Sequence, residues 1–282
     1  MISPFCSIPP SVSTDLFDNI TDKWLFSRIL EREKFPMPFT VKSQGIPLDE
    51  KDLSMLNFPV LAKPTKSVAG IGIRFINNRE DLNKFIIDPG LSDPFIIQSF
   101  IKGHDVGCSV LCREGEILAF TIQKGIIPGK KRFEPAAVIN IFYIEEVYNL
   151  IKKLMKKLNW SGIANIDLRY DEIENNYKIL EINPRFWGSV IGSLAAGINF
   201  PYLTCLTALG QTFEKPEYKN IFYAKPQISL NMLVKKIVNN DHTLPEKYKT
   251  GLLYSLTDPM PEVNKQLQRF IFNKFKINIY SD

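Results

Sequence analysis

The sequence predicts an α+β fold built on antiparallel sheets. Residues 106–112 and 116–124 read as two strands around the turn Arg113-Glu114-Gly115. Residues 163–170 and 177–182 repeat the pattern around the acidic turn 171–176. Helical segments fall between strands, but without the regular strand–helix–strand winding of a parallel sheet. The 282 residues are 45% hydrophobic and 23% charged, which suits a globular chain of one large domain or two smaller ones.

Residues 1–20 are rich in Ser and Pro and read as an N-terminal strap. Asp22 to Glu33 predicts a helix, with Trp24, Leu25, Ile29 and Leu30 on or near one face and Pro36 and Pro38 ending it. Phe39-Thr40-Val41 is a short strand, and Phe58 to Lys63 a very apolar one. A loop, Pro64 to Gly70, leads into a third strand over 71–76. Asn78 to Ile86 is a helix, and Pro94 to Ile101 a strand that feeds the first hairpin. In the segment from Tyr143 to Leu158, Ile151, Leu154, Met155 and Leu158 fall at i, i+3, i+4 and i+7. That is an amphipathic helix with Lys152, Lys153, Lys156 and Lys157 on its wet face. After the second hairpin, Ser189 to Leu209 is small and apolar, interrupted by Pro201, and predicts helices on a core. Residues 211–282 mix Pro, Lys and aromatics and suggest no definite element.

The net charge of +5 has its local excess in the lysine-faced helix, which lacks interleaved aromatics. It reads as a solvated face, with no nucleic-acid partner expected. No apolar run is long enough to span a membrane, and the first ten residues carry neither a basic leader nor an h-region. A cytoplasmic location is the expectation. Cys6, Cys108, Cys112 and Cys205 have no C-x₂-C spacing, and there are two histidines, so zinc is not expected and the thiols read as reduced.

The most informative stretch is Glu181-Ile182-Asn183-Pro184-Arg185-Phe186-Trp187-Gly188-Ser189, at the end of a strand. Glu181 and Asn183 point to one side of an extended chain and both present oxygen, the donor that Mg²⁺ prefers. Arg185 follows on that side if the chain stays extended and can fork onto a phosphate or carboxylate. Taken alone, this is also a strand edge with a polar loop. Asp167 lies mid-strand in the partner half of the predicted hairpin, near Glu181 and Asn183. Facing carboxylates repel unless a cation sits between them, although Lys178 and Arg185 are alternative counter-charges.

Upstream, Lys63 ends a buried strand, and Gly70 and Gly72 follow in a loop whose backbone can approach a phosphate closely. The pattern is not a Walker loop, and alone it fits a mobile hairpin tip equally well. Asp22 can cap the helix that begins at Lys23, which leaves Lys23 a surface residue on its own evidence. Phe95 to Asp105 is apolar, polar at Gln98, apolar again and then acidic. It suits an adenine slot followed by a ribose carboxylate, or simply a strand with a Gly turn.

In this order and spacing, the motifs from Asp22 to about Gly210 resemble the ATP-grasp superfamily of carboxylate–amine and carboxylate–thiol ligases. The run from Glu181 to Ser189, with Ala195 to Leu203 and Ala208-Leu209-Gly210, resembles the carbamoyl-phosphate-synthetase-like branch. The resemblance implies two α+β subdomains, about 22–105 and 106–210, gripping ATP, with 1–21 as a strap and 211–282 as an extension. It implies that Lys23 and Lys63 contact ATP phosphates under a flap containing Gly70 and Gly72. Gln98 would lie at the adenine edge, with the backbone of Ser99, Phe100 and Ile101 on the base and Asp105 on the ribose. Asp167, Glu181 and Asn183 would bind Mg²⁺ (two ions, or Mn²⁺), and Arg185 would steady the γ-phosphate or an acyl phosphate. The implied reaction joins a small carboxylate, such as an amino acid or peptide, to an amine. The alternative is a non-catalytic ATP-binding module or a subunit of a larger ligase. The resemblance further implies an N-terminal domain of roughly 100 residues that this sequence lacks, hence a partner to supply it, and a homodimer as the expected assembly. Residues 125–135, with Lys130, Lys131 and Arg132, are a candidate substrate loop, although a solvated loop fits as well.

Overall fold

A computed structural model describes residues 12–43, 48–67, 70–87, 94–129 and 134–225, together with the backbone of 248–250. The elements begin with α1 (Thr14–Thr21), α2 (Lys23–Arg32), β1 (Thr40–Ser43), α3 (Glu50–Met55), β2 (Val60–Pro64) and β3 (Arg74–Ile76). Next come α4 (Arg79–Ile86), β4 (Phe95–Ser99), β5 (Gly103–Arg113), β6 (Glu116–Ile127), β7 (Val138–Ile141) and α5 (Glu145–Lys157). The chain continues through β8 (Gly162–Asp171), β9 (Asn176–Asn183), α6 (Val190–Ala196), α7 (Phe200–Ala208), β10 (Ile221–Ala224) and β11 (Tyr248–Thr250). Four strands form one sheet in the order β1-β4-β2-β3, and seven form another in the order β11-β10-β7-β6-β5-β8-β9. All described pairings are antiparallel except β10 with β11. The α+β architecture is the predicted one.

The small sheet packs Val41, Val60, Ala62 and Ile97 against Leu82 and Ile86 of α4 and Leu53 of α3. The large sheet is covered on both faces, so β5 is buried continuously from Val106 to Cys112. Its even-numbered residues face α5, through Val147, Ile151, Leu154 and Met155, and meet Ile20, Phe26 and Leu30 from α1 and α2. Leu111 faces the other way, against Trp187, Ile198, Phe200 and Leu203. The lysines of α5 are exposed, as the amphipathic pattern requires.

Asp22 caps α2 by accepting from the backbone amides of Trp24 and Leu25 at 2.9 and 3.1 Å. Residues 14–21, expected as strap, form α1, with Ser13 accepting from the Leu16 amide. The third strand is shorter than the sequence suggests. Gly70 and Gly72 have φ of 74° and 78°, a left-handed turn that an extended chain cannot contain, so β3 begins only at Arg74. A bulge in β9 leaves Leu180 unpaired between the register pairs Asp167↔Glu181 and Leu168↔Ile179. It keeps Glu181 opposite Asp167 while the rest of the hairpin shifts by one. β10 lies beyond residue 210 and joins the large sheet by pairing with β7.

Candidate functional site

One face of the large sheet carries two polar rows, set by register. Gln123, Gly107, Asp167 and Glu181 lie across β6, β5, β8 and β9, and Thr121, Ser109, Asn165 and Asn183 form the adjacent row. A hydrogen-bond chain fixes the acidic end. Ser109 Oγ donates to Asn165 Oδ1 at 2.9 Å, and Asn165 Nδ2 donates to Asp167 Oδ1 at 2.8 Å. Asn183 Nδ2 donates to Asp167 Oδ2 at 3.1 Å and to Glu181 Oε1 at 3.3 Å. Arg185 Nη2 donates to Asn183 Oδ1 at 3.2 Å. The sequence thus brings Asp167, Glu181, Asn183 and Arg185 together as expected.

Burial, and then the neighbouring Glu181 charge, hold the Asp167 carboxyl well above the usual carboxylate range; the Asn165 hydrogen bond works against this. Two carboxylates forced into register, one of them strained toward protonation, are the arrangement a cation relieves. The candidate metal donors are oxygens, from two carboxylates and the Asn183 amide; among the described residues no group of three His, Cys, Asp or Glu side chains is placed to hold a metal. This set fits Mg²⁺ or Mn²⁺ and not zinc.

Two lysines lie over this floor. Lys23 Nζ donates to the Ser67 carbonyl at 2.8 Å and to Ser67 Oγ at 3.3 Å, and stands 3.8 Å from Glu181 Oε2. It therefore ties the glycine loop to the acidic floor, while its backbone amide is fixed on the Thr65 carbonyl. Lys63, on β2, is buried and donates to Gln98 Oε1 at 2.8 Å. Burial lowers its pKa to about 8; Glu181 opposes the shift and Lys23 adds to it. In the loop, a Cβ on Gly72 would lie 2.8 Å from Pro64 Cγ, so only glycine keeps this close turn beside Lys63.

In the adenine segment, Gln98 turns toward Lys63. Its side chain is buried, accepts from Lys63 and donates through Nε2 to Thr40 Oγ1 at 2.9 Å, which donates in turn to the Pro38 carbonyl. The reason is register: Thr40 and Leu61 flank Gln98 on neighbouring strands, which puts its side chain on the face that carries Lys63. The amides of Ser99 and Phe100 are engaged with the carbonyls of Phe39 and Pro59. The Ile101 carbonyl accepts from Arg169 Nε at 2.6 Å. Asp105 is exposed and ion-paired with Arg169. Arg169 also donates to the Gly103 carbonyl at 2.7 Å and lies over the Phe100 ring at 4.9 Å.

Sequence reasoning missed Arg169, Asn165, Ser109, Thr40 and Ser67. Asn165 and Arg169 flank Asp167 at a spacing of two, so the alternation that singled out Asp167 also marks them. Lys130, Lys131 and Arg132 lie outside the described residues.

Over 97% of its length the chain is 24% identical to D-aspartate ligase of Enterococcus faecium, of which it spans 71%. Over 85% of its length it is 24% identical to the carbamoyl phosphate synthase large chain of Clostridium perfringens, of which it spans only 24%. Its fold superimposes on the L-amino acid ligase from Bacillus licheniformis with a TM-score of 0.59 at 20% identity, covering 75% of this chain and 54% of that one. Residues 20–189 match the ATP-grasp domain along their whole extent, and the chain belongs to that family.

Proposed function

We propose that the chain is an ATP-dependent carboxylate–amine ligase, forming an amide or peptide-like bond through an acyl phosphate with release of ADP and phosphate. The observation that carries this reading is Lys23, whose ammonium links the Ser67 carbonyl in the glycine loop to Glu181 on the acidic floor. A group that lies between loop and floor meets phosphate donors on one side and metal ligands on the other. The relatives named D-aspartate ligase and L-amino acid ligase support amino acids or short peptides as substrates.

Lys23 and Lys63 would meet the ATP phosphates beneath the loop containing Gly70 and Gly72. Residues 99–105 would border the base and ribose, held in place by Arg169. Asp167, Glu181 and Asn183 would hold Mg²⁺, one or two ions, which offsets charge on the transferring phosphoryl group. Arg185, beside Asn183, would meet the γ-phosphate and then the acyl phosphate. A carboxylate oxygen of the substrate attacks the γ-phosphorus as the bond to ADP breaks. The amine then attacks the acyl carbon, loses a proton and expels phosphate. The first step needs positioning and charge neutralisation more than a protein nucleophile, and the cluster supplies these. A cytoplasmic setting suits this chemistry, with Cys108, Cys112 and Cys205 as free thiols.

The test is incubation with Mg·ATP and pooled amino acids, short peptides and small carboxylates, reading ADP and new product masses. Carboxylate-dependent ADP release is expected, and Glu181→Gln should lower it at least ~10²-fold, the scale for loss of one preorganised stabilising group. Nucleotide binding without carboxylate-dependent ADP would instead identify a nucleotide-binding module.

A further inference from the structure

Gln123 has no part in the nucleotide or metal assignments above, yet it lies in the same row as Asp167, with Gly107 between them. Its Oε1 accepts from Ser189 Oγ at 2.7 Å, which fixes the amide plane. Its Nε2 then lies over Gly107, 3.0 Å from where a Cβ would stand, and meets no acceptor among the described residues. The carboxylates of Asp167 and Glu181 favour this orientation, with the donor end of the amide turned their way.

Gly107 sits mid-strand in β5, and its missing side chain makes room for Gln123, whose Nε2 and Cγ lie 3.0 and 3.2 Å from where a Cβ would stand. A glycine inside a strand marks a site of close approach, here made by the Gln123 amide. Lys23 and Ser67 mark the nucleotide side of the cluster, at Glu181. Gln123 stands at the opposite end of the row. In-line displacement at phosphorus requires the attacking oxygen opposite the departing ADP. The Gln123 amide, lying across Gly107, is on that opposite side.

We propose that Gln123, oriented by Ser189, donates from Nε2 to the substrate carboxylate and that Gly107 lets this amide lie across β5 toward Asp167. This rests on the ligase reading and names the site of its acceptor substrate. A neutral amide donor suits the group. It gives a charge-assisted hydrogen bond without neutralising the oxygen that must attack.

The test combines binding and turnover. The two enantiomers each of aspartate and alanine are titrated calorimetrically into protein loaded with magnesium and a non-hydrolysable ATP analogue, and ADP release is followed in parallel. At least one probe should bind, and Gln123→Ala and Gln123→Glu should each weaken it at least about tenfold, the scale for one hydrogen bond to a charged group. Affinity for the nucleotide analogue should stay within about twofold on the same scale. Ser189→Ala should weaken the probe less, and in the same direction. Equal probe affinity in wild type and folded Gln123→Ala, or no probe binding to wild type, overturns the proposal. Probe binding that depends on Gln123 without any ADP release upholds the contact and overturns the ligase reading. ADP release with an unchanged KM for the carboxylate in Gln123→Ala does the reverse.

Discussion

Lys63 is buried and donates to Gln98, and desolvation lowers its pKa to about 8, far below the ordinary lysine value. Two opposite pH dependences follow. The ammonium proposed to meet phosphate exists below the pKa, so on that proposal Mg·nucleotide affinity should fall as pH rises through 8. Folding stability should rise over the window from about 8 to 10.5, because there the unfolded chain binds the proton that the folded chain has lost. Fluorescent-nucleotide titrations and urea melts between pH 7 and 10 would read both, and a flat affinity profile would refute the role. Gln98→Glu would set a charge beside Lys63 and move the affinity inflection upward. Gln98→Leu would take from Lys63 its Gln98 acceptor and cost about 1–3 kcal/mol of stability, readable in the same melts. The sequence could not show this partnership. Alternation within one strand places Glu181 and Asn183 on one side, but which side chain Gln98 meets depends on the pairing of β4 with β1 and β2 across long loops.

The link between β4 and β5 joins the two sheets at Gly103. This residue has φ of +148°, and a Cβ there would lie 1.9 Å from the Tyr170 carbonyl oxygen. No side-chain rotation relieves contact with a backbone atom. Gly103→Ala should therefore push β5 off β8, loosen the grip of Arg169 on residues 101–105, and cost at least about 1–3 kcal/mol. An unchanged urea midpoint would disprove it. Elements with strong local signals were legible. Asp22 and Asn78 cap α2 and α4, and the apolar spacing of α5 matches its buried face. Those without them were not. α1 lies within Ser- and Pro-rich composition, α3 is a short helix of six residues, and the four-residue strands β7 and β10 are defined by their pairing with neighbouring strands.

Across the whole molecule, the order of the motifs reveals the family, but their convergence depends on how one sheet faces the other. Lys23 is the described side chain that ties the glycine loop to the acidic floor, and its contact with Glu181 is a loose 3.8 Å. Burial first, and then repulsion from Glu181 across β8 and β9, hold the Asp167 carboxyl toward protonation. In the ligand-free protein that repulsion, eased by protonation of Asp167, lies where the two sheets meet, and Mg·nucleotide should remove it. Glu181→Gln separates the two effects. Without ligand it should unfold at the same temperature as wild type or higher, because the repulsion is gone and only a weak, partly exposed ion pair is lost. With Mg·ADP at about a hundred times its dissociation constant, wild type should gain about 2.7 kcal/mol. At roughly 2–4 °C per kcal/mol, that is a rise of about 5–10 °C. The variant should gain much less, so the order of the two melting temperatures reverses on adding ligand, and chelating the magnesium restores the original order. A variant that melts below wild type without ligand, or shifts as far as wild type with it, would mean that Glu181 stabilises the fold and does not hold the metal.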